Sequence, residues 1–218
     1  MRVSLSAFLR ISEGDSYILV RSLHRKEAFG PFGGVYKYFS SAGTRLDELQ
    51  FRPQGINPEM RNDLRGFLPR RYLLRFLRWF DEGKEREDAA NCLFRELREE
   101  IREVRLAQEI AVPEMFSCRR VRRVQEGPSI AAGQKYTQYR IFDVYEIIEP
   151  NKEMVRFLSE LRSSAVKHKD LLVASAKEII AGRSNDDRII GHHAGYLFQR
   201  KRVRPDEPMF VEPRGARQ

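Results

Sequence analysis

The stretch "FRELREEIREV" carries four glutamates whose spacing could bring them together. They stand at positions i, i+3, i+4 and i+7 of one helical face: Glu96, Glu99, Glu100 and Glu103. Carboxylate oxygens are hard ligands of the kind that Mg²⁺ and Mn²⁺ prefer. The stripe therefore suggests a divalent metal site that would work on phosphates. From spacing alone, a solvated acidic surface is an equally open interpretation.

The other residues of this stretch also separate by type around the helix. Leu93, Leu97 and Ile101 fall on one face, which we expect to be the core side. Arginines gather on a second face, so the glutamates become like-charge neighbours at i, i+4. Each such pair costs about 0.2–0.5 kcal/mol, and the Arg95–Glu99 pair offsets only part of this repulsion. The segregation of charge is unfavourable unless a cation lies over the glutamates.

The chain as a whole is basic, with 40 Lys and Arg residues against 31 Asp and Glu residues and a net charge of +9. Such a charge favours polyanionic partners, namely nucleotides, nucleic acid or an anionic membrane. The two cysteines, Cys92 and Cys118, form neither a disulfide framework nor a zinc motif, which suits a reducing compartment. No stretch approaches the roughly 20 apolar residues that span a bilayer, and no N-terminal signal is evident. We therefore expect a soluble protein of the cytoplasm that does not enter a membrane.

Hydrophobic patterns predict an α/β protein. "VSLSAFLRI" and "SYILVRSL", on either side of "SEGD", predict an N-terminal hairpin, and "FSCRRVRRVQ" with "KYTQYRIFDVYEII" predicts a second one. The glutamate helix is expected from about Asp88 to Leu106. Further on, the patterns predict a helix in "NKEMVRFLSELRSS", a strand in "DLLVAS", a helix in "AKEIIAGRS" that ends at Gly182, and a last helix in "RIIGHHAGYLFQRKR".

Residues 39–80 differ from their surroundings. Prolines and glycines interrupt the first part, which predicts a long irregular connection. "PRRYLLRFLRWF" then predicts an amphipathic helix that begins near Pro69 and carries arginines on its polar side. A basic helix of this kind can bind a membrane or nucleic acid. We prefer the simpler interpretation of a surface helix packed on its own core.

"FGPFGGVYKY" and "EREDAANCLFRELREEIRE" together resemble a Nudix hydrolase. The signature of that family runs Gly, five residues, Glu, seven residues, and then Arg-Glu-apolar-x-Glu-Glu-x-Gly-apolar. Glu87 has the expected spacing before Arg95, and "RELREE" supplies the central part of the signature. "FGG" matches the glycine pair that precedes the signature in the family. The resemblance extends from about Val3 to Phe198.

The sequence departs from the signature at three positions. Asp81 stands where the first Gly belongs, Arg102 replaces the Gly after the double glutamate, and Glu103 replaces the final apolar residue. We therefore expect the helix to continue past the point where the family usually turns. The insertion at about 39–80 is most similar to the Nudix domains associated with SMODS nucleotidyltransferases, which belong to bacterial defence systems that signal with cyclic oligonucleotides.

The resemblance implies a fold class and a domain organisation. The fold is an α/β/α sandwich of the Nudix type with a mixed sheet, and an inserted helical segment precedes the Nudix helix. The domain would cover residues 1–200, followed by a Pro-rich tail at 201–218. The expected partners are a nucleotide or nucleotide derivative and a signalling nucleotidyltransferase. The resemblance does not decide between a monomer and a homodimer.

The resemblance also implies a function and its residues. It implies Mg²⁺- or Mn²⁺-dependent cleavage of a nucleoside diphosphate linked to another moiety. The implied metal ligands are Glu96, Glu99 and Glu100, one of which would help to deprotonate water. Arg95 would pair with Glu87 or Glu99 and hold the carboxylates in place, so that Glu87 acts as structural support. The backbone at Gly33 and Gly34 would approach the substrate or the helix.

Two other functions are open on the same sequence. The first is a nucleotide sensor or effector with the same fold and little or no hydrolysis, which the altered signature favours. The second is a nucleic-acid-binding module, for which "RRVRR" and "QRKR" are the relevant basic runs. These runs are scattered and lack a recognised motif, so we rank this function last.

Overall fold

The computed structural model describes residues 1–22, 28–55, 58–106, 110–113 and 116–199. The tail predicted at 201–218 lies outside the described residues. The described residues form ten strands: β1 (Arg2–Arg10), β2 (Ser12–Glu13), β3 (Ser16–Arg21), β4 (Phe29–Gly30), β5 (Phe32–Val35), β6 (Arg52–Pro53), β7 (Arg65–Phe67), β8 (Cys118–Ile130), β9 (Thr137–Ile147) and β10 (Leu171–Ser175). The α-helices are α1 (Gly43–Glu48), α2 (Leu73–Glu82), α3 (Ala89–Glu103), α4 (Lys152–Ala165) and α5 (Ala176–Ala181).

The larger sheet is mixed and is built around β1. Its order is β6-β7-β1-β9-β8, and β5 also pairs with β1. β1 and β9 run parallel, whereas β5 and β7 pair antiparallel with the two halves of β1. β8 and β9 form the second predicted hairpin, which is confirmed. The mixed sheet with helices is the predicted α/β fold.

The N-terminal hairpin was predicted wrongly. The turn within "SEGD" exists, but it joins β3 only to the two-residue strand β2. β1 belongs to the larger sheet, while β3 belongs to a second sheet of order β10-β3-β2, with β4 also on β3. Since both strands alternate well, their patterns show that each is a strand but do not show which partner it takes.

Helices cover both sides of these sheets. α3 and α4 contribute to one buried apolar cluster, which also contains Val3, Leu5 and Leu9 of β1. A second cluster joins Phe8 of β1 to α5 and to a 3₁₀ turn at His192–Leu197. This turn replaces the last predicted α-helix. Within the described residues, no helix has the length and apolar character required to span a membrane.

The insertion is less purely helical than predicted. Besides α1 and α2, it supplies the short strands β6 and β7, which extend the larger sheet beyond β1. β5 pairs only with Ser6–Leu9 of β1, so β7 provides hydrogen-bond partners for the earlier part of that strand. Strands of two or three residues are too short to show alternation, which is why the sequence pattern missed them. α2 buries Phe76, Trp79 and Phe80, as expected for a surface helix on its own core.

α3 begins as the sequence predicts and ends slightly earlier. Asp88 caps its N-terminus by accepting a hydrogen bond from the Asn91 N–H over 2.8 Å. The helix ends at Glu103, three residues before the predicted Leu106, because Arg105 adopts a positive φ of 61°. The chain therefore turns without a glycine, and Val104 and Leu106 return to the core.

Removal of the α3 cap should lower stability without altering chemistry. In Asp88→Ala, the Asn91 N–H loses its acceptor, so we expect the free energy of unfolding to fall by about 1 kcal/mol. Urea unfolding followed by circular dichroism measures this change. Asp88→Ser retains a capping oxygen and should stay within about 0.5 kcal/mol of the wild type. Equal losses in both variants would contradict the capping role.

Candidate active site

The glutamates of α3 meet strand β5 at its two glycines. A Cβ atom on Gly34 would lie 2.2 Å from Glu96 Oε2, so only glycine leaves room for this carboxylate. The Gly33 N–H donates to Glu100 Oε2 over 3.0 Å. The structure thus brings together four of the predicted site residues, from a helix and a strand that are about 60 positions apart.

Gly33 is required for the backbone itself. Its φ of 123° lies in a region that residues with a side chain rarely adopt. A Cβ atom there would lie 2.2 Å from the Ala7 carbonyl oxygen on the neighbouring strand. The conformation at Gly33 directs its N–H towards the helix instead of towards β1, and this provides a backbone donor to Glu100.

Arg95 links the glutamate face of α3 to strand β5. Its Nη2 donates to Glu87 Oε1 over 2.7 Å and to the Val35 carbonyl over 2.9 Å. Its Nη1 lies 2.5 Å from Glu96 Oε1 and 3.4 Å from Glu99 Oε2. One guanidinium therefore contacts three carboxylates and β5, which fixes the start of the glutamate face relative to the sheet.

Glu87 is held equally firmly on its other side. It is buried, and its Oε1 accepts a hydrogen bond of 2.6 Å from the Lys37 N–H. Its own N–H donates to the Lys37 carbonyl over 3.0 Å. Glu87 is consequently a fixed partner for Arg95, which is the arrangement that the predicted supporting role would require.

Burial and repulsion make two of the carboxylates basic. Burial raises the pKa of Glu96 to about 7; the Arg95 guanidinium opposes this change, and the charges of Glu99 and Asp63 add to it. Burial also raises the pKa of Glu100 well above its ordinary value, with the charge of Glu96 as the next cause and the Gly33 N–H opposing. The protein places too little positive charge near Glu96 and Glu100 to stabilise both in their ionised forms. A cation would therefore be stabilised beside this pair.

The donor set fits a divalent metal in its chemistry. Carboxylates supply the hard oxygens that Mg²⁺ takes, usually together with waters and substrate phosphates. The Glu96 side chain is 17% exposed and that of Glu99 is 49% exposed, so Glu99 faces solvent at the rim. Among the described residues, no three carboxylate, imidazole or thiol groups are arranged to hold a metal ion.

Asp63 and Lys37 lie beside this site, and the sequence patterns pointed to neither. Asp63 of the insertion is buried and accepts a hydrogen bond of 3.0 Å from Lys37 Nζ. Its negative charge contributes to the raised pKa of Glu96, and the charge of Arg95 acts in turn on Asp63. No sequence signal marks Asp63, because it lies in an irregular segment between short elements. The insertion therefore contributes a carboxylate to the surroundings of the site.

The altered first position of the signature has a separate role. Asp81 lies in α2 and accepts a hydrogen bond of 2.7 Å from Arg123 Nη1. Arg123 also forms a two-bond pair with the buried Asp143 of β9. Gly83 caps the end of α2 with a φ of 72°. Asp81 thus ties the inserted helix to the sheet, and Gly83 provides the turn before the next helix.

Three further residues whose types could take part in chemistry belong to the core. His192 and His193 are buried, and their Nε2 atoms lie 3.0 Å apart. The His193 ring also lies 4.9 Å from that of Phe142, centroid to centroid. Cys92 is fully buried in the main apolar cluster. These contacts give the three residues structural roles in the core.

The raised pKa of Glu96 predicts a pH-dependent stability. The folded protein holds a proton on Glu96 up to about pH 7, whereas the ordinary pKa is 4.5. Between these values the folded state binds more protons than the unfolded state, so this contribution to stability is present at low pH and is lost as pH rises. Glu96→Gln cannot ionise. Its stability relative to the wild type should therefore increase as pH rises through this window.

Urea unfolding of both proteins in EDTA, over a series of pH values that spans this window, measures the difference. Adding Mg²⁺ should reduce it at high pH, because a bound cation favours the ionised form. A difference that does not change with pH would show that Glu96 titrates in its ordinary range.

Comparison with known proteins agrees with the geometry. A search among curated proteins finds no match. The family model described as SMODS-associated NUDIX domain matches residues 1–198 of the 218. This match covers β1, the insertion, the glycine pair, the glutamate helix α3, and the strand β10 with the helix α5. Since it extends over nearly the whole chain, the protein belongs to the SMODS-associated Nudix domain family.

Proposed function

We propose that the protein is a Mg²⁺- or Mn²⁺-dependent hydrolase of a nucleoside diphosphate linked to another moiety. The observation that carries the proposal is the pair of basic carboxylates, Glu96 and Glu100, seated against Gly34 and Gly33. The protein compensates the negative charge of this pair only in part. A divalent cation that arrives with the substrate phosphates would compensate the rest. Membership of the Nudix family supports the same class of chemistry.

The roles follow from the positions of the side chains. Glu96, Glu99 and Glu100 would hold the metal, with Glu99 approaching from the exposed rim. When bound, the metal would neutralise phosphate charge and lower the pKa of a water molecule. Arg95 orients Glu96 and Glu99 through its contacts to both. Glu96, with a pKa of about 7 without metal, can accept or release a proton near neutral pH.

The biological setting that we propose is a bacterial antiphage system in the cytoplasm that signals through nucleotides. A SMODS nucleotidyltransferase would be the partner that makes the signal. The description of the family as SMODS-associated supports this setting. Within it, a hydrolase would act on the signal or on a nucleotide related to it.

The test is product release from a panel of candidate substrates. Nucleoside triphosphates, ADP-ribose, dinucleoside polyphosphates and cyclic oligonucleotides are each incubated with Mg²⁺, Mn²⁺ or EDTA, and products are separated by chromatography. Metal-dependent turnover of one class would support the proposal and identify the linkage that is cleaved. Absence of turnover across the panel, from protein that binds the same compounds, would overturn it.

A nucleotide sensor is the second candidate, favoured by the arrangement of the site itself. Arg95 occupies oxygens of Glu96 and Glu99, and among the described residues no three groups are arranged to hold a metal. Arg102 and Glu103, where the signature has Gly and an apolar residue, are both exposed at the end of α3. A sensor would show saturable binding in calorimetry with the ligand recovered intact.

A further inference from the structure

The face of β1 opposite α3 carries polar side chains. Side chains alternate along a strand, and Val3 and Leu5 lie in the apolar cluster that α3 shares. Arg2 and Ser4 therefore point to the opposite face of the sheet. Both are buried, with 7% and 6% of their surfaces exposed. A buried arginine at the start of a central strand requires a partner.

Strand register gathers more arginines around Ser4. Arg65 of β7 is directly opposite Ser4 on one side, and Arg140 of β9 is directly opposite it on the other. Neighbouring strands lie about 4.8 Å apart, so the two arginines start about 10 Å apart and can reach over the small Ser4. Arg2 stands two residues away on the same face, between Phe67 and Gln138.

The arginines of this group carry more positive charge than the carboxylates paired with them neutralise. Arg140 pairs with Glu126 over 2.5 Å. Arg65 Nη2 lies 3.9 Å from Asp63 Oδ2, but Asp63 is also paired with Lys37 at 3.0 Å. Arg2 Nε donates to the neutral Gln54 Oε1 over 2.6 Å. Two guanidinium groups thus have weak or neutral partners.

Buried donors remain on these same two arginines. Within the described part of the chain, Arg2 Nη1 and Arg65 Nε are buried and have no hydrogen-bond partner. Burial lowers the pKa of Arg2 to about 10; the charge of Arg65 acts in the same direction, Tyr136 opposes it, and the charge of Arg140 adds to it. The Arg65 side chain is 30% exposed, so that solvent reaches this edge of the group. A buried guanidinium such as that of Arg2 is costly without a counter-charge, and a forked anion is its natural partner.

We propose that Arg2 and Arg65, with Arg140 beside them, form a binding site for a phosphate group. Guanidinium groups bind phosphate through paired, charge-assisted hydrogen bonds. Ser4 stands between Arg65 and Arg140 in the strand register, and its hydroxyl would add a further donor. The site is on the opposite face of the sheet from the α3 glutamates. It therefore goes beyond the proposed hydrolysis, and it needs neither a metal nor turnover.

Calorimetric titration with inorganic phosphate in EDTA tests the site, because metal-dependent binding at α3 is then absent. We expect Arg2→Gln and Arg65→Gln each to weaken phosphate binding at least tenfold. Arg70→Gln, an exposed arginine at the start of the 3₁₀ turn before α2, is the matched control and should bind as the wild type does. Phosphate binding of equal strength in all four proteins, or none in the wild type, would overturn the proposal.

Thermal unfolding separates a binding role from a structural one. Phosphate should raise the Tm of the wild type, since a ligand that binds only the folded state stabilises it. Without phosphate, Arg2→Gln should unfold at an equal or higher temperature, because it removes an uncompensated buried charge, and phosphate should no longer raise its Tm. A lower Tm with an undiminished phosphate effect would show that Arg2 serves only the fold.

Inorganic phosphate and the phosphate of a nucleotide offer the arginines the same oxygens. Addition of ADP-ribose in EDTA distinguishes the two sources, because metal-dependent binding at α3 is absent under this condition. Displacement of phosphate by ADP-ribose would assign the arginine site to a nucleotide phosphate, and retention of phosphate would assign it to the free ion. In either case the arginine variants decide whether the site exists.

Discussion

Replacing Glu100 by glutamine is expected to lower metal-dependent product release by about 100- to 10,000-fold. A metal ion contributes several kcal/mol of charge stabilisation, and each 1.4 kcal/mol changes the rate about tenfold. Glutamine has nearly the same shape as glutamate and can still accept a hydrogen bond from the Gly33 N–H. The substitution thus removes the charge while the contact between α3 and β5 is retained.

The same variant should be more stable than the wild type in EDTA. The pKa of Glu100 is raised by burial and by the charge of Glu96, so its ionised form opposes folding near neutral pH. Loss of activity together with a gain of stability would identify Glu100 as a functional residue. Loss of both would indicate a structural role instead.

Glu99→Gln and Glu82→Gln complete this experiment. Glu99 lies on the rim of the site and should lose turnover as Glu100 does, with little change in stability because its side chain is about half exposed. Glu82 is an exposed glutamate at the end of α2 and serves as the matched control. Full activity in Glu99→Gln would remove this residue from the proposed metal ligands.

Gly34→Ala is expected to reduce turnover by about 100-fold while the protein stays folded. The new Cβ would lie 2.2 Å from Glu96 Oε2, and this carboxylate is the end of a flexible side chain that can move away. A displacement of about 1 Å in a catalytic group can cost about 100-fold in rate. The movement would also alter the contact between Glu96 and Arg95.

Two other glycines of the same segment provide the controls. A Cβ atom added to Gly30 would meet no atom within 4 Å, so Gly30→Ala should keep activity. Gly33→Ala combines a positive φ with a backbone clash at Ala7, so it should lower the free energy of unfolding by at least about 2 kcal/mol. Equal activity in Gly30→Ala and Gly34→Ala would show that Glu96 does not need its present position.

Elements with strong local signals were predictable from the sequence. α3 is amphipathic and carries an Asp cap, so its start and its buried face were predicted correctly. The β8–β9 hairpin, α4, β10 and the end of α5 at Gly182 were likewise marked by periodicity, alternation or turn residues. In each of them the side chains that identify the element are close together along the chain.

Pairing between distant strands was not predictable in the same way. Alternation in β1 is satisfied by any partner, and the structure pairs it with β9, β5 and β7 instead of with its neighbour in sequence. The short strands β6 and β7 owe their form to this pairing, since two or three residues carry no period of their own. The insertion therefore looked like a connection and proved to be an edge of the sheet.

The sequence by itself determined the glutamate face of α3 and the partners Arg95 and Glu87. These residues lie within a few helical turns of one another, where helical spacing and the Nudix signature identify them. Only the tertiary structure decided which carboxylates are buried against Gly33 and Gly34, that the charge of Asp63 acts on Glu96, and that Arg65 and Arg140 stand on either side of Ser4. These features depend on strand register and burial. Both arise when segments far apart in the chain pack together, and desolvation then sets the charge balance of each group.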